Sequence, residues 1–172
     1  VKVYVGQTRS RKLIEQLRAL GLGECTVRGE LPPRRRPWFF DNGAFRDWKA
    51  GVSFDVAKFL GDVRRIRADK LEPDFVVLPD LVAQGVKSLE ESLSWLEPLR
   101  GLRRYLALQD GMVERDVTPH VRGLEGLFVG ETTEWKLETG GGAVGEVRQR
   151  GRSPVSHRAG RDGEACSLGD RG

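Results

Sequence analysis

Along the first four-fifths of the chain, apolar residues follow a two-residue period in some stretches and a helical period in others, and the two kinds alternate. Val1-Lys2-Val3-Tyr4-Val5 alternates and predicts a first strand. Ser10–Leu20 predicts a helix: Leu13, Ile14, Leu17 and Leu20 share a face, Ser10 can cap it, and Gly21 stops it. Pro32–Pro37 reads as an irregular loop. Trp38–Asp41 is a short apolar run that ends in Asp41-Asn42-Gly43, a turn signal. Phe54–Ala68 has helical spacing through Phe54, Ala57, Phe59, Leu60, Val63 and Ile66. Phe75–Leu78 is apolar throughout, as in strands buried on both faces, and closes at Pro79-Asp80. A helix over Ser88–Leu99, a strand over Tyr105–Leu108, a short helix over Asp116–Val121 and a strand over Leu127–Val129 complete the series.

Strands alternating with helices predict an α/β fold with a parallel sheet, specifically a partial (β/α)8 barrel. The polar residues sharpen that reading. Asp41, Asp80, Gln109 and Gly130 each stand at the C-terminal end of an apolar strand, and that rim carries the active site of a (β/α) barrel. Asp and Gly also mark ordinary strand-to-loop turns. Glutamine does not, so Gln109 is the most informative of the four.

Composition adds limits. The 172 residues are 38% hydrophobic and 31% charged, with a net charge of +4, an ordinary globular balance. No apolar stretch is long enough to span a bilayer, and the first residues lack signal-peptide organisation. Two distant cysteines exclude a disulfide framework or a Cys-rich zinc site and suit a reducing cytoplasm. Neither a metal, a cofactor nor a membrane partner is expected. The one concentrated basic patch, Arg34-Arg35-Arg36 between two prolines, reads either as a solvated loop or as a phosphate contact on a polynucleotide. Trp48, Trp95 and Trp135 read as packing residues.

Four segments together resemble the tRNA-guanine transglycosylase superfamily. Trp38-Phe39-Phe40-Asp41-Asn42-Gly43-Ala44-Phe45 resembles its Asp-Ser-Gly-Gly-aromatic motif. Phe75-Val76-Val77-Leu78-Pro79-Asp80 resembles the strand that ends in its base-reading aspartate, and Leu106-Ala107-Leu108-Gln109-Asp110-Gly111 its Val-Gln-Gly segment. Gly126-Leu127-Phe128-Val129-Gly130 resembles its Ile-Gly-Gly strand, and the continuation to Lys136 is especially similar to compact phage and bacterial relatives that insert deazaguanines into DNA or are uncharacterised. The resemblance covers residues 1–139. It implies pentosyltransferase-type exchange of guanine for a 7-deazaguanine in tRNA or DNA, which needs the base extruded into a pocket. Phe45 would supply a ring face, Asp80 and Gln109 would read the base edge, and Gly130 would let backbone approach the base carbonyl. Asn42, where the family has serine, would donate to the base, and Asp41 would shuttle a proton or orient the nucleophile. The departures are Glu131 in place of a second glycine, the missing zinc cysteines, and no counterpart of the family's carboxylate nucleophile.

Residues 140–172 break the pattern. They hold nine of the 22 glycines and no Phe, Tyr, Trp, Ile or Met, which reads as a Gly/Arg tail without a core. Moving the frame forward one base within the codons allowed for His157 to Gly172 permits Ile-Gly-Arg-Ala-Gly-Thr-Glu-Lys-Arg-Val-Ala-Trp-Ala-Ile-Gly. That string is similar to the family's phosphate-type loop and following helix. A frameshift near the guanine-rich Gly140-Gly141-Gly142 codons is therefore expected, with the nucleophilic aspartate encoded past Gly172 and the chain inactive in base exchange. A barrel of this kind needs about 200–250 residues, so an unclosed edge and self-association through it are expected. A non-catalytic nucleic-acid-binding module and a small-molecule-binding (β/α) protein are the competing readings.

Overall fold

The computed structural model describes residues 2–30, 32 and 37–129. Arg34, Arg35, Arg36, Gly130, Trp135 and the 140–172 tail, with the boundary drawn at residue 139, lie outside the described residues. The elements run β1 (Tyr4–Gly6), α1 (Arg11–Ala19), β2 (Gly23–Val27), β3 (Trp38–Asp41), α2 (Ala44–Lys49), α3 (Val56–Ala68), β4 (Val76–Val77), α4 (Val86–Ser94), β5 (Arg104–Leu108), α5 (Glu114–Val117), a 3-10 turn (Thr118–Gly123) and β6 (Gly126–Val129).

The six strands among the described residues form one sheet in the order β1-β2-β3-β4-β5-β6, and every neighbouring pair is parallel. An order that never reverses has no topological switch point, which separates barrels from doubly wound sheets. The sheet is also curled. Phe39 on β3 and Phe128 on β6 sit three strand spacings apart, roughly 14 Å in a flat sheet, yet their ring centroids lie 5.8 Å apart. The fold is a partial (β/α) barrel whose six strands curl into a half-barrel.

Alternation along the strands separates two apolar layers. Trp38, Phe40, Val76 and Leu78 point outward against Phe59, Val63 and Ile66 of α3 and against Trp95 and Leu99. Phe39, Phe75, Val77 and Ala107 point into the concave face with Tyr4, Cys25, Tyr105 and Phe128. There Phe75 stacks on Phe39 at 4.6 Å and on Tyr105 at 4.0 Å. Leu89 of α4 packs with Leu106 and Leu108 of β5, Met112 and Val117.

Two glycines make room for the concave rings. A Cβ on Gly126 would stand 2.4 Å from the Tyr105 ring, and one on Gly23 2.5 Å from that of Tyr4. Gly126→Ala is expected to cost about 1–3 kcal/mol as an overpacking change, read as a lower urea midpoint. An unchanged midpoint would show that the Tyr105 ring is free to swing aside.

Several boundaries differ from the sequence expectation for physical reasons. The first strand is Tyr4–Gly6 rather than residues 1–5. α1 matches: Ser10 accepts from the Leu13 N–H, and Gly21 at φ 66 closes it with the Leu22 N–H on the Leu17 carbonyl. α3 starts at Val56, not Phe54, because Asp55 caps it through the Lys58 N–H at 2.9 Å. α4 covers Val86–Ser94 rather than Ser88–Leu99; Pro98 has no N–H for the Ser94 carbonyl and its ring would clash there. The Asp116–Val121 helix is instead α5 followed by the 3-10 turn that contains Pro119. β2 and α2 were not expected at all. Among the described residues no helix is long and apolar enough to cross a membrane.

Candidate functional site

Strand tips β3, β4 and β5 bring three of the expected side chains into one hydrogen-bonded group. Asp80 accepts from the Asn42 Nδ2 at 2.8 Å on Oδ1 and from the Gln109 Nε2 at 2.6 Å on Oδ2. The three residues come from the ends of three strands that lie side by side, so the parallel pairing of β3 with β4 and of β4 with β5, not local sequence, assembles them. A carboxylate has about four acceptor positions, so two donors on it do not preclude more. Gln109 is 2% exposed, and its buried Oε1 has no hydrogen-bond partner among the described residues. A buried acceptor without a donor costs about 1–3 kcal/mol, so a water or ligand that donates to it would be stabilised there.

Asn42 does something other than expected. Its second donor goes to the Leu78 carbonyl at 2.7 Å, and its Oδ1 accepts from the Ala44 N–H at 2.6 Å. An amide NH2 has two hydrogens, and both are now taken within the protein. Asn42 therefore holds Asp80 and the end of β4 in place, and the role of donating to a base does not fit it.

Asp41 ends β3, one residue before Asn42. Its Oδ1 accepts from the Gly43 N–H at 2.7 Å. Burial raises its pKa above the ordinary carboxylate value, against the lowering effects of that N–H and of Arg46. A carboxyl that keeps its proton to higher pH suits proton donation. Cys25, on the concave face, is pushed up to about 12 by burial, then by the Asp41 and Glu30 carboxylates. It is a neutral thiol and no nucleophile near neutral pH.

No family model, no curated protein and no solved structure matches this chain.

Phe45 stands at the start of α2, directly after the Asn42-Gly43 turn. Its ring is 58% exposed and lies 5.7 Å from that of Trp48, itself 53% exposed. Trp48 is thus a surface residue, contrary to its expected packing role, while Trp95 does pack in the core. Among the described residues no cluster of three or more His, Cys, Asp or Glu is arranged to hold a metal.

Two further groups support the site and were not recognised in the sequence. Arg28, 3% exposed at the end of β2, donates through Nη2 to both Asp47 oxygens, at 2.6 Å and 2.5 Å, with its guanidinium 4.9 Å from the Phe54 ring centroid. The Arg28 carbonyl in turn accepts from Arg46. Ser88 and Ser92 of α4 are fully buried beneath the loop that carries Asp80. Only a polar pair at i and i+4 flanking the apolar Leu89 hinted at the second group.

Proposed function

We propose that this rim binds a guanine-type purine base and that the chain derives from enzymes exchanging guanine for a 7-deazaguanine in tRNA or DNA. The observation that carries the reading is the Asn42–Asp80–Gln109 group, a clamped carboxylate next to a buried amide carbonyl that has no partner among the described residues. The N–H donors on a guanine edge complement both acceptors. Asp41, whose pKa burial raises, would give or take a proton at the same rim. Phe45 would cover the base face, and Arg34, Arg35, Arg36 and the backbone of Gly130 would add phosphate and base-carbonyl contacts. Exchange would also need a carboxylate nucleophile, so the activity proposed for the residues of this rim is base binding.

Calorimetric titration with guanine or a 7-deazaguanine base tests the reading. Asp80→Ala and Gln109→Ala are each expected to weaken binding at least about 10-fold, the effect of losing a hydrogen bond to a charged or buried partner. No binding by the unaltered chain, or equal binding by both variants, would refute it.

The exposed Phe45–Trp48 pair, on the same short helix as Arg46 and Lys49, favours a second reading, a surface that stacks unpaired bases and holds their phosphates. Salt-sensitive oligonucleotide binding that survives Asp80→Ala and Gln109→Ala would select it.

A further inference from the structure

The backbone on both sides of Asp80 is tied to one helix. The Ser92 hydroxyl donates to the Pro79 carbonyl at 2.9 Å, and the Leu81 N–H donates to the Ser88 Oγ at 3.0 Å. The two serines are one helical turn apart on α4, so they share a face, and both are 0% exposed. Alanine would fill the same space and favour the helix more than serine does. What serine adds here is a partner for the two backbone groups that bracket the carboxylate. The same helix is seated on β5 through Leu89, which packs against Leu106 and Leu108, and β5 leads directly into Gln109. α4 therefore touches both halves of the clamp: the β4 loop through its serines and the β5 strand through its leucine.

We infer that Ser88 and Ser92 are positioning residues that set the distance between Asp80 and Gln109, so that the acceptor pair is built before any ligand arrives. The inference deepens the base-binding reading and rests on it for its consequence, but its geometry can be read without a ligand. The side-chain amide resonances of Asn42 and Gln109 report their bonds to Asp80 in the free, full-length chain. Ser88→Ala and Ser92→Ala are expected to shift both resonances and to weaken guanine binding about 2- to 12-fold, the range of one neutral hydrogen bond. Val63→Ala, a core truncation in α3 outside the cluster that Leu89 forms with Leu106 and Leu108, lowers stability and is expected to leave both resonances and the affinity in place. If the serine variants leave the amide resonances unmoved, or move them without changing the affinity of a chain that binds guanine, the inference is overturned. If the unaltered chain binds no guanine while the serine variants still shift the amides, the positioning stands and the base-binding reading falls instead.

Discussion

Asp47→Ala is expected to lower the unfolding free energy by about 3–5 kcal/mol, the cost of leaving a buried charge without its partner. Arg28 is nearly inaccessible, and its Nη2 spends its hydrogen bonds on the two Asp47 oxygens. The Phe54 ring beneath it offsets a little of the burial, but no other carboxylate is bonded to it among the described residues. Replacing both partners, as in Arg28→Met with Asp47→Leu, should recover most of the loss, because the desolvation of two charges disappears with the attraction between them. The pH dependence has a definite sign. The hydrogen bond from Arg28 holds the Asp47 carboxyl below the ordinary range, against burial. A depressed folded-state pKa gives stability that is present above the unfolded value of about 3.9 and is lost as pH falls through the folded one. Urea denaturation should therefore show a wide gap between the parent chain and Asp47→Ala at pH 7 and a narrowing gap below about pH 4. A gap under about 1 kcal/mol at pH 7 would mean that Arg28 escapes to solvent when unpaired. The pair matters beyond stability, since the Arg28 side chain also lines the Asn42-Gly43 turn: a Cβ on Gly43 would lie 3.4 Å from that of Arg28.

Gly85→Ala is expected to disturb the site as well as the fold. Gly85 has φ 51 and ψ −125, a region that side chains rarely enter, and such strain costs about 1–3 kcal/mol. The new Cβ would also stand 3.2 Å from the carbonyl oxygen of Asp110. That residue directly follows Gln109, and Gly85 belongs to the loop that follows Asp80, so relief of the contact separates the two loops and the two acceptors. The expected result is a lower urea midpoint together with weaker guanine binding. Gly51→Ala gives the comparison: its φ of 68 also disfavours a side chain, but the space around it is open. It should lower the midpoint and leave the affinity unchanged. Equal affinity for parent and Gly85→Ala would show that the loops adjust independently.

The alternation of periods made the parallel α/β class legible, and the polar residues at apolar strand ends made one rim legible. Both follow from local rules: a strand buried on two faces is apolar throughout, and its C-terminal end opens into a loop. β2 was hidden because it buries polar residues. Glu24 is nearly inaccessible beside Gln7, and Thr26 is fully buried, so an interior strand carries a surface-like pattern. α2 was hidden because it is six residues long, has Gly43 at its N-cap and makes no side-chain cap bond. The exposed ring of Trp48 was misjudged because size and apolarity describe what a side chain would gain from burial, not whether a neighbour is there to bury it.

By itself, then, the chain's order of residues determined which segments are strands and which are helices at most positions, and that Asp41, Asp80 and Gln109 share one end of the sheet. Only the folded arrangement decided that Asn42 serves Asp80 rather than a ligand, that two serines hold the loop from beneath, and that a buried ion pair braces the neighbouring turn. The reason is range. Periodicity is a property of residues a few positions apart, whereas the bonds from Asn42 and Gln109 to Asp80 join residues 38 and 29 positions apart, and they exist because parallel pairing sets β3, β4 and β5 side by side.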